Sequence, residues 1–298
     1  MTATVSHRDE LKGIALAVVA AVAFGTLAIF AKLAYRTNAG PIPLLAVRFA
    51  IATVILAAIY AIRPSQKPAV ARQIRTLMFL GAFGYAVEST FFFSALVYAP
   101  AGVVGLVFYS YPLWTSLIGL ATRLEPYRPQ LLVALLLGSV GVSLVFSIRS
   151  TALLGPALAL TAAVCVAIYL IALQVATKGV DPVASSLWTS AGAALAFAVA
   201  ALVVRQPFPF EAIWPAIGLG GATVIAFITL YAAIVRIGSS RAAIAAMLEP
   251  VTTVLLGALL LNEALTWRIG LAAALIVSAL PVLALTTGKG EVGAAPMA

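Results

Sequence analysis

Charge is what this chain has least of. Charged residues make up 9% of its 298 positions against 63% hydrophobic ones, and the mean hydropathy is +1.13. Ordinary soluble domains are about a quarter charged. A chain of this length with so little charge could not cover a water-facing surface. The composition is that of a polytopic membrane protein. Cysteine and histidine are nearly missing too. The one cysteine, Cys165, excludes an internal disulfide and a cysteine-based zinc cage, and its mid-helix position reads as packing. The one histidine, His7, sits in the N-terminal tail, which excludes histidine chemistry within the membrane. The aspartates, Asp9 and Asp181, both fall outside the apolar runs. Without these groups neither a metal centre nor a serine–histidine or aspartyl site is readily assembled. No cofactor, metal or catalytic residue is therefore expected.

Apolar runs of about 20 residues, each near the length that crosses a bilayer as a helix, fall at 13–34, 43–62, 76–98, 101–122, 129–148, 153–176, 183–204, 213–237, 242–261 and 267–286. The first is too long for the core of a signal peptide, which is about 7–15 residues, and reads as a retained helix. The expectation is an all-α polytopic membrane protein of ten transmembrane helices. Ten spans put both termini on one side. With the termini cytoplasmic, twelve Lys and Arg residues fall on inner segments and five on outer ones, while Arg48 lies inside a span. That asymmetry follows the positive-inside rule and predicts cytoplasmic termini in a bacterial-type inner membrane. The net charge of +9 is explained by these basic loops, so the lipid bilayer, and no nucleic acid, is the expected partner.

Sliding the sequence by 138 residues lays each of the first five spans on one of the last five. Pro112 then falls on Pro250, Phe93 on Tyr231 and Glu125 on Glu263. Five is odd, so the second copy enters the membrane from the opposite side. The predicted organisation is a tail (1–12), a first five-helix repeat (13–148), a second, inverted one (149–286) and a second tail (287–298). Inverted repeats are common in secondary transporters, with the substrate near the midplane between the halves.

The Arg48-Phe49 pair early in span 2, "LEPV" in span 9 and "LNEALTWRIG" before span 10 resemble the drug/metabolite transporter superfamily. More narrowly, the chain looks like its EamA-type exporters, over about residues 13–286. The "YSYPLW" stretch of span 4 is similar to that of bacterial aromatic amino-acid exporters of the YddG kind. The resemblance implies export of a small organic substrate. The first repeat departs from the Glu-Pro pair, with Tyr111-Pro112 in its place.

Arg48, Glu88 and Glu249 are the charges well inside spans. A mid-membrane charge costs about 2.5–3.5 kcal/mol on insertion scales, so such groups face a cavity or a partner. Glu88 has Tyr85 and Phe92 on its helical face, a setting that suits an ammonium group by charge and by cation–π contact. A buried pair or a backbone hydrogen bond is the alternative. Arg48 either snorkels toward water and anchors its helix or meets a substrate carboxylate. Glu249 either holds the bend expected at Pro250 or lines the path. Pro112 is the symmetry mate of Pro250, and the pair are candidate hinges or static bends. Tyr109, Tyr111, Trp114, Tyr169, Trp188 and Tyr231 complete the candidate cavity set, and one of Tyr109 and Tyr111 should face inward. The favoured reading is an exporter of small neutral or zwitterionic solutes, amino acids above all and aromatic ones favoured, with a coupling proton left open. The alternatives are a sugar-phosphate or nucleotide-sugar carrier, which would want clustered Lys or Arg, and an intramembrane enzyme.

Overall fold

The computed structural model describes residues 7–63, 68–122, 136, 140, 153–177, 179–237, 242, 246, 248–262 and 264–284. Its helices are α1 (His7–Tyr35), α2 (Pro41–Ile62), α3 (Ala71–Phe79), a π-helical turn (Leu80–Tyr85) and α4 (Ala86–Tyr98). They continue as α5 (Ala101–Phe108), α6 (Tyr111–Ala121), α7 (Leu154–Ala176), α8 (Pro182–Val204), α9 (Ile213–Ile237), α10 (Leu248–Leu261) and α11 (Trp267–Ala284). No strand occurs among the described residues. The protein is an all-helical membrane protein. Among the described residues seven stretches are long and apolar enough to cross a bilayer, with α3, the π turn and α4 forming one of them and α5 with α6 another. The expected fifth span, 129–148, lies outside the described residues apart from Leu136 and Val140.

Local sequence explains several boundaries. Asp181 caps α8 by accepting from the backbone N–H groups of Val183 and Ala184 at 2.9 and 3.3 Å, with Pro182 at the first helical position. Pro41 starts α2 in the same way. Span 4 differs from the bent helix expected at Pro112. The chain leaves the helix at Tyr109 and Ser110, and Pro112 is the second residue of the new helix α6. Likewise Pro250 falls in the first turn of α10. Both prolines thus follow a break, where a missing N–H costs least.

The packing obeys the 138-residue correspondence. Helix α1 packs on α9, and its counterpart α7 packs on α4, the counterpart of α9. Helix α1 also packs on α10, as α7 does on α5 and α6. Helix α2 and its counterpart α8 meet directly. This is the pattern of a pseudo-two-fold axis that exchanges the two sets of spans.

Where α8 crosses span 3 the backbones touch. A Cβ at Gly81, in the π turn, would collide with the Thr189 carbonyl, and one at Gly192 with the Met78 carbonyl. Small residues allow such an approach, and close packing is what holds helices together in lipid. Gly192→Ala should lower stability by about 1–3 kcal/mol, as overpacking does. Gly221→Ala, where nothing lies within 4 Å, should stay within about 0.5 kcal/mol. Thermal unfolding of the detergent-solubilised variants checks this, and equal midpoints would refute the close crossing.

Candidate functional site

A central cavity lies where these helices leave space. It is lined by Phe24 and Leu27 of α1, Arg48 of α2, Tyr85 of the π turn, and Glu88, Ser89, Phe92 and Phe93 of α4. Phe108 and Tyr111 flank the break in span 4; Val166, Tyr169 and Leu170 come from α7, and Phe227, Leu230 and Tyr231 from α9. Ala246 and Glu249 complete it. Its empty space is about 680 Å³, including the part open to the outside.

The walls are mostly aromatic. Phe227 stacks on Tyr231 at 5.5 Å between centroids and meets Tyr85 edge-on at 5.0 Å. Tyr85 also touches Tyr169 at 5.3 Å. On the other side Phe92, Phe108 and Tyr111 follow one another at 4.8 and 5.5 Å. Edge-to-face pairs of this kind add to plain burial. The hydroxyls of Tyr169 and Tyr231 bond to each other at 2.6 Å.

Arg48 is completely buried, so it does not snorkel. Its Nε donates to Thr223 Oγ1 at 2.7 Å and its Nη2 makes a long contact, 3.4 Å, with the Tyr85 hydroxyl. The guanidinium lies 4.5 Å from the Phe49 centroid and 4.9 Å from that of Phe93, within reach of cation–π attraction. Nη1 is buried with no hydrogen-bond partner. An unsatisfied charged donor of this kind is costly, which points to a missing acceptor. Glu88 is 4% exposed and accepts from Ser89 Oγ at 3.0 Å. Its carboxylate has acceptor capacity beyond that one bond.

The structure separates the two tyrosines of span 4. Tyr111 lines the cavity. Tyr109 is 2% exposed and turns toward the second break, with its hydroxyl 2.9 Å from the Ala246 carbonyl and 2.6 Å from Glu249 Oε2. It does not line the cavity, and neither do Trp114 and Trp188. Trp114 donates its Nε1–H to Ser110 Oγ at 3.2 Å, in the break just before its own helix. Trp188 packs half-buried beside Ala52, Leu56, Leu187 and Val224. Sequence reasoning passed over Phe24, Leu27, Ser89, Phe108 and Phe227. Phe227 was within reach, being four residues before Tyr231 on one helical face. Thr223, the partner of Arg48, carries no signal beyond being a hydroxyl in an apolar run.

The profile of the EamA-like transporter family matches residues 11–147 and again 153–285. Two successive matches cover nearly the whole chain. The chain belongs to the EamA-like transporter family. It is 29% identical over 185 residues to an uncharacterized transporter, sll1319, of Synechocystis sp.. That match spans 58% of this chain and 55%, about half, of the relative's length. A crystal structure with a TM-score of 0.70 covers 92% of this chain and 98% of its own, at 23% identity. At that identity the likeness concerns the fold alone. The two profile matches agree with the twofold packing of this EamA-like membrane protein.

Proposed function

We propose that the protein is a secondary transporter that exports zwitterionic amino acids, aromatic ones favoured, by alternating access around the central cavity. The observation that carries this is the unpartnered Nη1 of Arg48, in a cavity that also presents the Glu88 carboxylate. A substrate carboxylate supplies the acceptor that Nη1 lacks, in a charge-assisted bond. Glu88 receives the ammonium, with the ring of Phe92 beside it. The aromatic walls take the side chain. Arg48 is the one cation among the lining residues, which disfavours a sugar-phosphate carrier, since phosphate recognition wants clustered cations.

Measured in proteoliposomes with labelled amino acids, Arg48→Met should weaken apparent affinity about tenfold to a hundredfold. That is the effect of losing a hydrogen bond to a charged group, about 1.5–3 kcal/mol. An amino-acid amide, which lacks the carboxylate, should be handled alike by both proteins. Glu88→Gln should impair transport while folded protein remains in the membrane. Normal transport of every tested amino acid by Glu88→Gln would reject the assignment.

In the same reading the chain lies in a bacterial-type inner membrane with cytoplasmic termini, an orientation that the distribution of Lys and Arg supports. Single cysteines at Arg63 and at Leu153, both exposed, would be introduced in a Cys165→Ala background. Arg63→Cys should react with an impermeant thiol reagent from the cytoplasm alone and Leu153→Cys from outside alone. The reverse pattern sinks the orientation.

The two breaks serve as paired hinges in this reading. Alanine at Pro112 or Pro250 restores a backbone donor and favours a continuous helix. Because the spans correspond by inversion, the two replacements should bias the protein toward opposite facing states. Labelling of Ser89→Cys from each side, compared between Pro112→Ala and Pro250→Ala, reads this. Unchanged labelling in both would leave the prolines as static bends.

A further inference from the structure

We propose that Glu249 binds a coupling proton, and that Tyr109 transmits its protonation to the backbone break before α10. The inference rests on the transport reading above, but it is carried by a hydrogen-bond count of its own. The Tyr109 hydroxyl has one hydrogen. Two oxygens lie within bonding distance, Ala246 O at 2.9 Å and Glu249 Oε2 at 2.6 Å. If Glu249 is ionised, both are pure acceptors and the hydroxyl can serve one of them. If Glu249 carries a proton, its O–H donates to Tyr109 Oη, and Tyr109 donates onward to Ala246 O. Two protons then make two bonds, and the observed geometry is satisfied throughout.

The far end of this relay is not an ordinary carbonyl. Ala246 stands four residues before Pro250, which has no N–H to return to it. The Glu249 backbone N–H reaches it at 3.1 Å, and Tyr109 supplies the second donor from the span that corresponds to this one. Losing the proton from Glu249 turns the Tyr109 hydroxyl toward the carboxylate and withdraws it from Ala246. The tie between the two broken spans is then remade on the side chain alone. The proton leaves to water in the cavity, which Glu249 lines; no other reactant is needed.

Few charges compete for the site. Tyr109 bonds Glu249 from the break in span 4, and Tyr111, Arg48 and Glu88 share the cavity with it. Helix α1, which packs on α10, presents Gly25 against Thr252 and the Glu249 carbonyl and brings no titratable group there. A carboxyl in such a place inside a transporter has a function by default. Proton relay is the one that its partners here support.

Infrared difference spectra of the purified full-length protein, recorded across a pH titration, test the proton directly. The C=O stretch of a protonated carboxylic acid should fade as pH rises, be absent from Glu249→Gln and persist in Glu88→Gln. Failure to find a Glu249-dependent band overturns the proposal, whatever the protein transports. Transport is the second arm. Gln places an N–H donor where the carboxylic O–H stood, so Glu249→Gln mimics the protonated form. The pH dependence of amino-acid exchange in proteoliposomes should flatten in this variant and also in Tyr109→Phe. Exchange that keeps the wild-type pH profile in both variants refutes the coupling.

Discussion

Hydrocarbon offers no hydrogen bonds, so every backbone break within the membrane must be answered by a group of the protein's own. Much of this molecule follows from that constraint. Helices satisfy themselves, which is why nearly all described residues are helical. Within the spans two breaks lie where prolines withhold donors, after Tyr109 and around Ala246. There the structure assigns a side chain to the task. Tyr109 leaves its own broken helix and reaches the carbonyl of the other. The two breaks are thereby tied together, and neither can change without the other feeling it.

Polar side chains in the same setting face the same demand. The Thr223 hydroxyl meets it locally, on Leu219 O at 2.7 Å, and still accepts from Arg48. Arg48 has more donors than its neighbours have acceptors. Its burial among Phe49, Phe93 and Tyr85 supplies cation–π attraction but no acceptor for Nη1. In the proposed reading a substrate carboxylate is the acceptor that answers Nη1.

The all-helical architecture was legible in the sequence because it rests on run length and composition, which the bilayer itself imposes. The 138-residue correspondence was legible from span spacing, and it also governs the packing. The nature of the breaks was not. Proline signals a lost donor, but whether the helix bends or restarts is decided by what packs against it. The site was legible where a charge is rare enough to stand out, as at Arg48, Glu88 and Glu249. Aromatics gave a weaker guide. Tyr109, Trp114 and Trp188 lie off the cavity while Phe24, Phe108 and Phe227 line it, since an aromatic in an apolar helix carries no mark of which face will be open.

The 138-residue shift makes one more relation visible. It carries Tyr85 onto Thr223, and these are the two residues that Arg48 bonds. The guanidinium thus sits between equivalent positions of the two sets of spans, close to the axis that exchanges them. The shift carries Arg48 onto Ser186, Glu88 onto Ala226 and Glu249 onto Tyr111. The scaffold is repeated and the cavity charges are not. A site with duplicated charges would place like charges near one another in a low-dielectric cavity, where their repulsion is poorly screened. Single charges on a symmetric frame avoid this. In the proposed reading Arg48 and Glu88 are the cationic and anionic recognition points, which would give a zwitterion one defined orientation on a repeated frame.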